Sequence, residues 1–473
     1  MGVRPNGPNT VLARALAELG WSPKNLARRL NREFGPGTVA ETAPYHWRDA
    51  GAIPRAPLPA MTAHLLSQEL GRMLTVGELW QGKAADSVML LAAGIGLDRA
   101  WTMGDLEDIV EDWIRGGLVD RRRFLAISGA GLTAMVSRYL DGAAGPGALA
   151  PSGPSADPTD PLVDQVERNL PLLQTLDDTH GGARHLAYVS AQFRSVGLVL
   201  REGGQPTSSR RRLTQAFAEI GQLAGWMAFD AAEHGLAQRH FVTALRAAHQ
   251  VNDQALCAHI LADLAFQAAS RERPADAVPL GEAAGRAARH APASVRASVL
   301  SRMAYAYASG GDDEAFHRAA GQAREAITRA SDGTSPRWMY FLTENHLECQ
   351  AGYAMIQLGR ARQRADSDGS PKQLLRDGTG LLTTGAFDIP QGGPSDRRAL
   401  YEGAWLALGH VSRGELEEGC RVGEIAASRL ASVRSPRSVA VLADLATDLR
   451  RRQRNPHVAT FLPVLEAQLA QPA

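Results

Sequence analysis

The chain has little cysteine: three residues in 473, Cys257, Cys349 and Cys420. Each sits far from the others in an apolar helical pattern, without C-x-x-C spacing or a histidine at ligand distance. That excludes a disulfide framework and a zinc finger, and predicts buried thiols in a reducing compartment. No apolar run approaches the ~18 residues of a membrane span, and the opening MGVRPNGPNT lacks the apolar stretch of a signal peptide. A cytoplasmic protein without membrane contact is expected. Net charge is almost absent, 51 basic against 50 acidic residues, which excludes a polycation that coats nucleic acid.

Catalytic signatures are missing as well. There is no H-E-x-x-H, Walker loop, G-x-S-x-G or carboxylate pair at catalytic spacing. His180 and His185 flank Gly181-Gly182 and do not share a helical face; a helix end with solvated acids accounts for them and for Asp177-Asp178. His234 and His240 fall on differing faces across a turn. No enzyme, metal or cofactor is expected. Arg121-Arg122-Arg123-Phe124-Leu125 matches a twin-arginine export segment but lies deep in the chain, so it reads as a basic helix start. Gly129-Ala130-Gly131 is too short for a dinucleotide fingerprint.

What the chain does hold begins at Ser22. Ser22-Pro23 is a helix start, Leu26 and Leu30 share the inner face, and Lys24, Arg28, Arg29 and Arg32 spread over the outer one. Gly35-Pro36-Gly37 turns the chain; Thr42 and Pro44 start a second, short helix that Gly51 and Pro54 close. Two helices across a turn give the outline of a helix-turn-helix. Trp47 then reads as a core anchor, with Tyr45, His46 and Arg48 outward and Arg48 suited to bidentate contact with guanine. Residues 1–55 carry eight Lys/Arg, Arg55 among them, against four acids, an excess of four where a phosphate footprint belongs. The plainer alternative is a three-helix cap with a solvated basic face.

The run APYHWRDAGAIPRAPLPAMTAHLLSQELGRMLTVGELW, with its Leu66-Ser67-Gln68-Glu69-Leu70-Gly71 segment, resembles the N-terminal module of a family of actinobacterial helix-turn-helix transcriptional regulators. Members of that family carry a C-terminal tetratricopeptide-like repeat region. The resemblance implies a role in actinobacterial development or secondary metabolism. The insertion from Asn31 to Ala40 departs from ordinary helix-turn-helix units and bears on how the second helix meets DNA.

The expected fold class is all-α: a helix-turn-helix module over 1–82, a helical connector over 83–140, a Gly/Pro/Ala/Ser-rich linker over 141–161 and a tetratricopeptide-like solenoid over 162–473. Small residues recur at +12 and +7 in Gly225, Ala237, Ala244, then Ala265, Ala277, Ala284, and again Ala407, Gly419, Ala426; a further copy has Phe316 in its middle. Such spacing lets paired helices approach closely. The segment LAGWMAFDAAEHGLAQRHFVTALRAA is similar to a tetratricopeptide repeat. Loops are expected at 201–209, 360–371 and 388–394, and four to six helical hairpins in all.

Stacked hairpins generate a concave face. Gln222, Trp226, Phe229, Tyr305, Asn345, Trp405 and His410 are the candidates to line a partner groove, unless the aromatics only fill gaps between hairpins. The expected function is a homodimeric DNA-binding regulator that contacts double-stranded DNA and takes a peptide or protein effector. A tetratricopeptide-like scaffold without a DNA role is the alternative. A third reading resembles the tetratricopeptide quorum sensors, with a peptide in the groove switching DNA affinity.

Overall fold

Helix signals dominate the sequence, and the described part of the chain is all-helical. The computed structural model describes residues 7–34, 37–55, 58–70, 74, 76–80, 101–115, 132, 135, 136, 139, 140, 160–330, 335–364, 371–386, 393 and 395–470. Among them no strand occurs. No described helix is long and apolar enough to cross a membrane.

Five helices form an N-terminal unit: α1 (Thr10–Glu18), α2 (Pro23–Phe34), α3 (Ala43–Asp49), α4 (Leu58–Glu69) and α5 (Val76–Leu79). Asn9 ties three of them. Its Oδ1 accepts from the Leu12 N–H at 2.9 Å, its amide donates to the Leu79 carbonyl at 2.9 Å, and its backbone N–H donates to the Arg48 carbonyl at 2.8 Å. Ser22 Oγ caps α2 by accepting from the Asn25 N–H at 3.2 Å. The start of α3 differs from expectation: Thr42 occupies the cap but makes no capping bond, leaving Pro44 in the first turn to set the helix. The insertion after Asn31 folds back, because the Asn31 amide both donates to the Val39 carbonyl and accepts from its N–H, each at 2.9 Å. Val39 thereby joins Leu12, Leu26, Leu30, Trp47 and Trp80 in one core. Trp47 meets Trp80 edge-on at 6.0 Å, and the Trp80 indole donates to the Pro59 carbonyl at 3.1 Å.

The described part of the connector belongs to a second core. Helix α6 (Met103–Arg115) places Leu106, Ile109, Val110 and Trp113 there, together with Leu132, Met135, Val136 and Tyr139. The Trp113 indole donates to Thr243 Oγ1 at 3.1 Å. Residues 141–159 of the expected linker, the Arg121–Leu125 segment and Gly129–Gly131 lie outside the described residues. Asp160 already caps the next helix, its Oδ1 accepting from the Leu162 and Val163 N–H groups at 3.1 and 3.3 Å.

From there the helices follow one another: α7 (Pro161–His180), α8 (Gly182–Glu202), α9 (Thr207–Asp230), α10 (His234–Gln250), α11 (Gln254–Ser270), α12 (Pro274–Ala287) and α13 (Ala293–Ser309). Then come α14 (Asp313–Thr328), α15 (Glu344–Arg364), α16 (Pro371–Ala386), α17 (Asp396–Arg413), α18 (Leu416–Ser428), α19 (Pro436–Arg450) and α20 (Pro456–Leu469). Consecutive helices from α9 to α18 pack as five close pairs. Small residues make this possible: a Cβ on Gly225 would lie 2.6 Å from the Phe241 ring, and Ala237, Ala244, Ala277 and Ala284 are buried. The turns repeat too. Ala232, Asn252 and Glu272 each take positive φ, at 59°, 59° and 57°, spaced by 20 residues. Helix α15 runs to Arg364, into the expected loop, because buried Arg360 reaches Asp448 at 2.6 Å and Ser412 at 2.7 Å. Residues 365–370, 388–392 and 394 lie outside the described residues.

The two ends of this array meet. Helix α7 packs on α17 and α9 on α19. The His180 carbonyl accepts from the Arg434 N–H at 2.9 Å, and the Ala183 N–H donates to the Arg434 carbonyl at 3.3 Å. Gly181, with φ of 78°, and Gly182 permit this, since a Cβ on either would run into the backbone of Arg434 or Met227. The solvated acids expected here are a correction: Asp177 is buried, and Arg397 Nη2 lies 3.1 Å from Asp177 Oδ2 and 2.9 Å from Asp178 Oδ1. Their partner arrives from the other end of the array, beyond the reach of local pattern.

Candidate nucleic-acid face and interior chamber

The cations of α2 and α3 lie on the surface of the N-terminal unit because the apolar residues of those helices face its core. Glu41, presented just ahead of α3, receives two of them: Lys24 Nζ at 2.9 Å and Arg28 Nε at 3.2 Å. Those contacts hold the Glu41 carboxyl below the usual range, Lys24 contributing most. Arg29 reaches Glu69 on α4 at 2.7 Å and covers the Trp21 ring at 4.3 Å. Arg48 grips its neighbour Asp49 with both sides of its fork, at 2.7 and 3.0 Å, and lies 5.5 Å from the Tyr45 ring. That fork lowers the pKa of Asp49. Tyr45, His46 and Arg55 are exposed. Sequence spacing placed these cations together but did not reveal that Glu41, Glu69 and Asp49 pair with them.

Inside the C-terminal array the closing contacts bound a chamber of about 420 Å³. Of the groove candidates, Gln222 and Trp226 line it. Phe229, Tyr305 and Trp405 line a neighbouring cavity of about 480 Å³, which shares Tyr401 and Arg437 with the first. Asn345 and His410 are not among the lining residues of either; Asn345 accepts from Arg398 at 3.1 Å and His410 pairs with Glu415 at 2.7 Å.

The chamber also holds residues that the sequence pattern did not single out. Arg302, Arg397, Arg398 and Arg437 enter its wall, and each meets a carboxylate: Asp263 at 2.9 Å, Asp177 at 3.1 Å, Glu402 at 2.8 Å and Asp230 at 3.1 Å respectively. Three of these guanidinium groups surround the Trp226 ring at 5.7, 5.8 and 5.3 Å. Arg437 also covers Tyr401 at 4.0 Å. His259 stacks on Trp338 at 5.0 Å. Burial pushes the His259 pKa down to about 4 and raises that of Asp177, the latter against the pull of Arg397. Burial likewise raises Glu402 and holds His346 well below the usual imidazole range. The one signal that could have found these arginines is a charged residue inside an apolar helical stripe, as Arg302 is.

Leu12 opens the N-terminal core and Trp80 closes it, and the family comparison covers the same span. Residues 12–80 match the SP15 N-terminal domain family. No curated protein and no solved structure matches the chain.

Proposed function

We propose that this chain is a sequence-specific DNA-binding transcriptional regulator of the actinobacterial helix-turn-helix kind. Helices α2 and α3 act as the helix-turn-helix, with Arg48, His46 and Tyr45 toward base edges and Lys24, Arg28, Arg29 and Arg55 toward phosphate. The C-terminal pairs act as a tetratricopeptide-like solenoid that takes an effector and supports a cytoplasmic homodimer, so that two N-terminal units read two half-sites. The observation that carries the reading is the set of cations on α2 and α3, Lys24 and Arg28 exposed and Arg48 half-buried, whose carboxylate partners are exposed and can be exchanged for phosphate.

Selection of fragments from genomic DNA by the purified full-length protein tests it. The expected result is enrichment of one sequence with two-fold symmetry; recovery of unrelated fragments contradicts it. The pairing of Lys24, Arg28, Arg29 and Arg48 within the chain favours a second reading, a scaffold protein without a DNA role. The two differ in salt response. Phosphate-driven binding weakens steeply with ionic strength, whereas apolar protein contact does not.

A further inference from the structure

The interior chamber has a volume of about 420 Å³. That lies within the ~300–1,000 Å³ range of small-molecule sites and is far too small for a folded partner. It lies where α7 meets α17 and α9 meets α19, and residues of all four helices line it.

Two properties of the wall decide what fits. The first is its rings: Trp226, Phe266, Trp338, Phe341, Tyr353 and Tyr401 all contribute to the lining, and such walls favour flat aromatic bodies through edge and face contacts. The second is its charge. Arg302, Arg397, Arg398 and Arg437 are each already matched by a carboxylate within 3.1 Å. A ligand with a net charge entering this site would lose hydration and find no unmatched counter-charge. Polar but uncharged edges do better, since Gln174, Gln222 and Thr343 also line the space. Burial that pushes the His259 pKa down to about 4 points the same way, because it reflects an environment that disfavours added charge.

We propose that the chamber binds a flat aromatic small molecule without net charge, held among Trp226, Trp338 and Tyr401. This rests on the effector-binding half of the function proposed above and not on its DNA-binding half.

The test uses the full-length protein without DNA and two fluorescent naphthalenes of similar size. One is neutral propionyl-dimethylaminonaphthalene and the other anionic anilinonaphthalene sulfonate. The neutral probe should bind saturably at one site per chain and about tenfold or more tighter than the sulfonate. Thr343→Trp, at an exposed position on the lining, should block the neutral probe with a small loss of thermal stability, because Thr343 Oγ1 caps α15 by accepting from the His346 N–H at 3.1 Å. Thr175→Trp, exposed on the α7 side of the lining, does the same from another wall if Thr343→Trp melts early. Equal or tighter binding of the sulfonate overturns the ligand class while leaving an effector site in place. No saturable binding of either probe, or binding that survives both tryptophan variants, overturns the chamber as a site and with it the effector half of the proposed function.

Discussion

The two parts of this molecule use the same ion pairs in opposite ways. In the N-terminal unit the pairs are open to water: the side chains of Lys24 and Glu41 are 45% and 49% exposed. Around the chamber of the C-terminal array they are closed, although pairs on its outer surface such as Arg318–Glu314 are open: Arg302 and Asp263 are 4% and 0% exposed, and Arg437 and Asp230 are 10% and 0%. Water already solvates the first kind, so a cation there can leave its carboxylate for another anion at little cost. The second kind has been stripped of water, and its partners are bound to each other by the cost of leaving either one alone. Exposed pairs suit a surface that must exchange partners; buried pairs suit a frame that must not. The closing contact between Asp230 and Arg437 is of the second kind.

Removing one partner of the closed kind should have the largest effect. Asp230 accepts from the Gly182 N–H at 3.0 Å, from Ser435 Oγ at 2.8 Å and from Arg437 Nε at 3.1 Å. Asp230→Ala should lower stability by about 3–5 kcal/mol, because it leaves Arg437 buried and unmatched. Denaturant unfolding of the full-length protein measures this. An effect as small as that of Glu69→Ala, which frees only the half-exposed Arg29, would erase the distinction between the two regions.

In the N-terminal unit the core, not charge, should carry stability. Trp47 is 5% exposed and packs on Trp80, so Trp47→Ala should cost about 3–4 kcal/mol through the cavity it leaves. The measurement is loss of helical signal on heating, with Lys24→Ala as the comparison. Equal destabilisation by the two variants would place surface charge on a par with the core.

The acid response sharpens the comparison further. His259 has its folded pKa near 4, below the usual 6.5, so the unfolded chain takes up the proton first as pH falls. Stability is therefore lost from about pH 6.5 downward, and His259 alone should account for about 2 kcal/mol at pH 5. His259→Gln should reduce the acid loss by that amount in melts compared at pH 8 and pH 5. Identical acid profiles in the wild type and His259→Gln would contradict the closed character of the array.

Much of the N-terminal unit was legible from residues near one another. Ser22-Pro23 marked the start of α2, Leu26 and Leu30 its buried face, and Trp47 the anchor of α3, because a cap or a helical stripe is decided within a turn or two. The all-helical class and the small residues of the close pairs were legible for the same reason, as Gly225 and Ala237 show. The chamber was not. Asp177 and Arg397, or Asp230 and Arg437, are joined only when the first helices of the array meet the last, and no local period encodes that meeting. Gly181-Gly182 read as a helix break and turned out to be the contact surface of the closure. The partners of Lys24, Arg28 and Arg29 were hidden likewise, since Glu41 and Glu69 come from separate elements.

Arg48→Ala should be the smallest of the folding effects and still be visible in binding, with about a tenfold loss on a selected site and relaxed preference at one base position. Whether the N-terminal cations exchange their carboxylates for phosphate is read from the response of binding to salt. Fluorescence anisotropy of a DNA fragment selected by the protein, titrated between about 50 and 200 mM NaCl, gives the slope of log affinity against log salt. The wild type should show a steep negative slope, made shallower by roughly one phosphate contact in Lys24→Ala or Arg28→Ala. A slope near zero, or one that neither variant changes, would contradict the exchange.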